Sequence, residues 1–254
     1  MDEFVLPLLI ELELEQDCFF IVPGNHEIDL TKINDIYDNG LKDRLKNYNG
    51  VIPVKYKDEY ILKERLEGFR AFERELIGCS SEEIVSVRQK AINDKKVGFC
   101  LINTSWNLSS SGLEDKGRVI IGKSNLFAGL QKIKNCDYKI CLMHHSSSWL
   151  RDEDSIDIEP LLGQFDLVLY GHSHYAAQKQ VVSPNGKSVY CMASESLPLT
   201  SKTGYNIIRF DENSVEFVGE EYNTLICPLQ EFLDNGEFCS GEQDKLIKII
   251  NNLK

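Results

Sequence analysis

The sequence predicts a layered α/β fold, and three observations carry that prediction. Apolar runs of five to seven residues, rich in Val, Ile, Phe and Tyr, recur at 18–22, 97–103, 138–143, 165–170, 188–192, 205–210 and 214–218, a length and composition that favour strands. Segments with helical apolar spacing lie between them. Beyond residue 184 the punctuation changes to Pro184-Asn185-Gly186 and Asp211-Glu212-Asn213. These are turn signals, so the sheet is expected to end in antiparallel hairpins. Such alternation is what helices layered on a sheet require.

The elements follow in order. Residues 3–15 read as a helix, and 18–22 as the first strand, cut short by Pro23 and Gly24. Helical patterns come next at 31–46, 59–76 and 81–92, with charged residues in the outward positions. The strand at 97–103 runs into Thr104-Ser105-Trp106 and a polar stretch to 117. Trp106 has two readings there, stacking on a nucleobase or covering the core. A helix at 124–134 sets Leu126, Leu130 and Ile133 on one face. Strands at 138–143 and 165–170 flank a helix at 157–163, and these two, with 18–22 and 97–103, are apolar enough to be buried on both faces. The hairpin strands 188–192, 205–210 and 214–218 follow. A linker at 228–241 leads to a short amphipathic helix at 243–253, which reads as a docking segment for a protein partner.

Composition narrows the function. The 254 residues are 42% apolar, enough for a core, and the formal charge of −12 argues against a nucleic-acid-binding face, which needs Lys and Arg to neutralise phosphates. No run approaches the ~18 apolar residues of a membrane span, and the N-terminus lacks a basic-then-apolar signal pattern, so a cytoplasmic protein with no membrane partner is expected. The eight cysteines form no C-x-x-C pair and read as reduced core residues rather than a disulfide framework or zinc ribbon.

The five histidines are the informative residues. They fall in three segments: His26, His144 with His145, and His172 with His174. Each segment ends an apolar run. Gly24-Asn25-His26-Glu27 follows 18–22, His144-His145 follows 138–143, and Gly171-His172-Ser173-His174 follows 165–170. The C-terminal edge of strands is where open α/β sheets bind ligands. A lone histidine after a strand is usually just a hydrogen-bonded residue, but five so placed favour a metal site.

These residues resemble the calcineurin-like metallophosphoesterases, marked by G-N-H-[D/E], a histidine after a buried strand, and G-H-x-H in that order. The resemblance implies an α/β/β/α metallophosphoesterase sandwich over 1–226, with a cap-like insertion at about 31–96 that selects substrate, and 227–254 outside it. It implies hydrolysis of a phosphomonoester or phosphodiester by a metal-activated hydroxide. By motif, Asn25, His144 and His172 would ligate one divalent ion (Mn, Fe or Zn) and His174 a second. His26 would protonate the leaving alkoxide, with Glu27 holding its imidazole. His145 is either a residue behind the ligands, a substrate contact, or a spacer that packs. Bound cations would supply the positive charge that the −12 balance lacks.

The family's earlier motifs, D-x-H and G-D-x-x-D, are missing. No histidine follows an aspartate by two positions, and none of the 17 glycines precedes an aspartate. The expectation is a fold incomplete at its N-terminus, through a misplaced start or split gene, and two alternatives stand beside it. One is a non-catalytic module of the same fold that binds partners. The other is a half completed by a separate chain that donates the aspartates. Without a carboxylate bridge two divalent ions repel each other uncompensated, so at most one well-held ion and poor turnover are expected.

Overall fold

The computed structural model describes residues 5–45, 52, 63–109, 115–172, 177–182, 188–193, 207–210 and 215–218. In chain order its elements are α1 (Val5–Glu11), α2 (Asp35–Leu45), α3 (Glu67–Ile77), β1 (Val85–Ile92), β2 (Lys95–Ile102), α4 (Lys123–Lys132), β3 (Tyr138–Met143), α5 (Asp152–Leu162), β4 (Leu167–Tyr170), β5 (Ala177–Val182), β6 (Ser188–Ala193), β7 (Ile207–Phe210) and β8 (Val215–Val218). They fall into two compact units. One comprises Met1–Phe19, Ser173–Ala176 and Ser194–Lys254, and the other Phe20–His172 with Ala177–Ala193. The first contains α1 and the antiparallel pair β7-β8. The expected linker and helix at 227–254 lie outside the described residues. Among the described residues no helix is long and apolar enough to cross a membrane.

The second unit is built on a six-stranded sheet of order β1-β2-β3-β4-β6-β5. The four central strands are parallel, and β1 and β5 are antiparallel edges. The register aligns Ile102 with Met143 and Met143 with Tyr170. The chain therefore leaves β2, β3 and β4 at one level, and the residues that follow (Thr104, His144 and His145, Gly171 and His172) emerge along a single sheet edge. Both hairpins expected past residue 184 form, with Val182 paired to Ser188 and Phe210 to Val215.

Alternation along β2 explains why both sheet faces are covered. Cys100 and Ile102 join a core cluster with Leu126, Leu130 and Ile133 beside α4, Ile158 of α5, and Cys141, Met143 and Val168 of the next strands. Val97, Phe99 and Leu101 face the other way and pack with Phe20, Val22, Ile140 and Leu142. Burial on both faces suits the near-continuous apolar runs of a parallel sheet. Away from the sheet, the fully buried Arg65 donates to Leu108 O at 2.6 Å and to Asp38 Oδ1 of α2 at 2.8 Å.

Three sequence expectations are corrected. Residues 81–92 do not form a helix. They contain β1, whose Val85 and Val87 join the main core while Arg88, on the opposite face, lies 4.4 Å from the Phe20 ring centroid. The two-residue turn to β2 is Asn93-Asp94 with φ of 47° and 62°, the paired left-handed conformation that a tight hairpin needs. Consequently the segment read as a cap at about 31–96 contributes its last dozen residues to the sheet itself. The run at 18–22 is not a strand. It starts in the 3₁₀ turn Gln16–Cys18 and continues without a ladder among the described residues, its Phe20 ring stacked on Phe99 at 3.9 Å. Phe20 and Val22 of this run pack against the sheet face.

Candidate metal centre

The three segments that carry the histidines converge. A 3₁₀ turn, Asn25–Glu27, places Asn25 against the ends of β3 and β4. Asn25 Oδ1 lies 2.8 Å from His144 Nε2 and 3.1 Å from His172 Nδ1, and the two imidazole nitrogens are 3.1 Å apart. An amide oxygen and two neutral imidazoles supply only two ring protons between them, so hydrogen bonding in that form does not account for all three close approaches. A cation does. Donors about 2.1 Å from an ion are about 3.0 Å apart on an octahedral face and about 3.4 Å apart in a tetrahedron. The observed triangle matches the first value.

Local backbone features build this triangle. Gly24 is extended (φ −94°), and a Cβ there would sit 2.8 Å from His144 Cε1 and 2.9 Å from its Nδ1. A Cβ on Gly171 would lie 3.3 Å from the same Nδ1. The two glycines thus leave the space that the His144 ring fills, and Gly171 N also donates to His144 O at 3.1 Å. His172 adopts a left-handed φ of 63°, rare for a residue with a Cβ, a strain of about 1–3 kcal/mol that functional sites commonly carry. Trp149 packs edge-on against the His172 ring, centroids 4.1 Å apart.

Burial favours the neutral imidazole at His144 and His145. Desolvation, then the neighbouring His172 and His26, lowers the His144 pKa to about 4. Desolvation, then His144 and His172, lowers that of His145 to about 3. Neutral imidazole is the form that binds a metal ion. His145 is completely buried, with Nδ1 2.8 Å from Thr104 Oγ1 and its backbone N–H donating to the same oxygen at 3.1 Å. Its Nε2 meets no hydrogen-bond partner. One ring nitrogen from each of His144, His145 and His172 lies within 4.8 Å of the others.

A family model, calcineurin-like phosphoesterase, matches residues 2–176, a span that includes every histidine segment. The chain belongs to the calcineurin-like phosphoesterase family. No curated protein matches its sequence. The family is one of metal-dependent hydrolases of phosphate esters, and a cluster of three imidazoles with an amide oxygen is a donor set that a divalent metal ion accepts. The mixed α/β sheet flanked by helices agrees with the metallophosphoesterase fold.

The other expected site residues of this calcineurin-like phosphoesterase divide. His26 is exposed at the turn, next in sequence to Asn25. Glu27 does not hold the His26 imidazole. Its Oε2 accepts the Gly24 N–H at 2.7 Å, so the carboxylate closes the turn that aims Asn25. His174 lies outside the described residues. Trp106 takes the core reading, being buried with Nε1 donating to Ile120 O at 2.6 Å. Two neighbours were not foreseen, Thr104 and Trp149. Thr104 had a signal, since it follows the β2 run as His145 follows the β3 run, whereas Trp149 sits in a 3₁₀ turn with no pattern to mark it.

Proposed function

We propose that the chain hydrolyses a phosphomonoester or phosphodiester, slowly as it stands, using one divalent ion held by Asn25 Oδ1, His144 Nε2 and His172 Nδ1. The triangle of these atoms, with edges of 2.8, 3.1 and 3.1 Å, carries the reading. When bound there, zinc, manganese or iron supplies Lewis acidity toward a phosphoryl oxygen and an acidified water. The three side chains orient the substrate phosphate by fixing where that charge sits. His26, exposed beside Asn25, donates a proton to the leaving alkoxide, and Glu27 holds the turn that keeps His26 and Asn25 in register. His174 would contribute a single donor to a second ion, too few to retain it. The buried thiols Cys100 and Cys141, with pKa values raised by desolvation, suit the reducing cytoplasm.

A second reading is a non-catalytic scaffold of the same fold. It is favoured by one observation: among the described residues the cluster contains imidazoles and no carboxylate. Metal analysis of the purified chain, with hydrolysis of p-nitrophenyl phosphate and bis(p-nitrophenyl) phosphate, separates the readings. One ion per chain and slow, chelator-sensitive hydrolysis are expected. Retained metal without hydrolysis supports the scaffold, and a chain that takes up no ion rules out the site.

A further inference from the structure

We propose that His145 supplies a fourth protein donor, Nε2, to the ion held by Asn25, His144 and His172, an inference that rests on the three-donor reading above. The sequence pattern gave this residue no defined task, but its surroundings do. His145 is wholly buried, yet Nε2 has no hydrogen-bond partner, an omission that costs about 1–3 kcal/mol unless something meets that atom. The ring lies among the donors, its centroid 4.7 Å from that of His144 and 4.5 Å from that of His172. Ring nitrogens of all three cluster within 4.8 Å.

Thr104 sets the ring for this use. Its Oγ1 accepts the His145 backbone N–H at 3.1 Å and stands 2.8 Å from Nδ1. A hydroxyl oxygen can accept twice, and when it accepts the Nδ1 proton the lone pair is left at Nε2. This is how a histidine ligand is ordinarily oriented, its other nitrogen pinned by a hydrogen-bonding neighbour. Thr104 is therefore a positioning residue.

The resulting set is three imidazoles and one amide oxygen, all neutral and all from the protein. The edges of the Asn25, His144 and His172 triangle match an octahedral face, so a fourth protein donor leaves two positions of the ion for water or substrate.

The test uses the full chain, stripped with chelator and titrated with Zn²⁺ and Co²⁺ alone. Wild type is expected to bind one ion and to give a visible cobalt spectrum. An outer partner of a ligand is worth about 10–100-fold in affinity, so Thr104→Val should weaken binding in that range and His145→Phe by about 100-fold or more, with a changed cobalt spectrum. His145→Gln, which keeps a polar side chain, should show the same loss if the Phe variant fails to fold. A folded His145 variant with wild-type affinity and an unchanged spectrum would overturn the proposal and leave the Asn25, His144 and His172 site standing. Failure of wild type to bind either ion would overturn that site, and this inference with it.

Discussion

Replacing Gly24 by alanine tests the metal centre through a single methyl group. Its φ of −94° and ψ of −175° are open to any residue, so the substitution adds no backbone strain and its effect is purely steric. The new Cβ would stand 2.8 Å from His144 Cε1, 2.9 Å from His144 Nδ1 and 2.9 Å from Glu27 Oε2. Carbon atoms settle at about 3.5 Å or more, so the ring and the turn must separate by about 0.7 Å. Metal sites tolerate about 0.2 Å in ligand distance. The displacement therefore exceeds what the Asn25–His144–His172 triangle can absorb, while the rest of the fold meets an ordinary overpacking cost of about 1–3 kcal/mol. Thermal melting with and without Zn²⁺ or Mn²⁺ reads both effects. The metal-free variant should melt several degrees below wild type, at about 2–4 °C per kcal/mol for a domain of this size. Ligand at 100 times its dissociation constant stabilises wild type by about 2.7 kcal/mol, and most of that gain should vanish in the variant. A Gly24→Ala chain that is stabilised by metal as strongly as wild type would refute the argument that this close approach positions His144.

Three further outcomes are expected. His144 and His145 have folded pKa values of about 4 and about 3, below the ordinary histidine value near 6.5, so the unfolded chain takes up more protons as pH drops. Their contribution is complete above about pH 6.5 and is lost as pH falls through the folded values. Two such groups give a slope of up to about 2.7 kcal/mol per pH unit between about pH 6 and 4. Urea midpoints of the metal-free protein across this range should show it, and His144→Gln with His145→Gln should flatten it; an equal slope in the double variant contradicts the assignment. His26→Ala should reduce hydrolysis of alkyl phosphates far more than of p-nitrophenyl esters, because only the poorer leaving group needs a proton, and equal losses would remove His26 as the acid. Asp38→Ala leaves the buried Arg65 guanidinium without its carboxylate and should cost about 3–5 kcal/mol by chemical denaturation, an effect that a near-wild-type midpoint would exclude.

The convergence of Asn25, His144 and His172 was more legible than the elements that carry them. His144 and His172 follow apolar runs that are strands, and a strand that stops abruptly delivers the residues after it to the sheet edge, whereas Asn25 reaches that edge from a 3₁₀ turn. Strand identity is another matter. The run at 18–22 has the composition of a strand, but a ladder requires a partner backbone, which local sequence does not encode. Residues 81–92 misled because Glu82, Glu83, Arg88 and Lys90 mimic a charged helix surface, although Val85 and Val87 with the Asn93-Asp94 turn carry the period of a hairpin. Glu27 was assigned to the histidine beside it, yet reaching back three residues to Gly24 N closes the tight turn, and such a contact depends on backbone geometry that spacing alone does not reveal. Thr104 and Trp149 meet the histidines only because β2 and β3 pair in one register and the Ser147–Trp149 turn folds back over β4.

The triangle also has a topological consequence. Asn25 lies 119 residues from His144 and 147 from His172 along the chain. Among the described residues the segment that presents Asn25 forms no ladder, and Phe20 and Val22 pack it on the sheet face. A cation shared by these three side chains is then a reversible cross-link that ties this segment to the sheet edge. Closing a loop of about 100 residues removes unfolded-chain entropy worth about 4.7 kcal/mol in a permanent link. Chelation should accordingly loosen residues 20–27 before any strand of the sheet, and protease cutting or hydrogen exchange in that segment would register the clasp opening while the core stays closed.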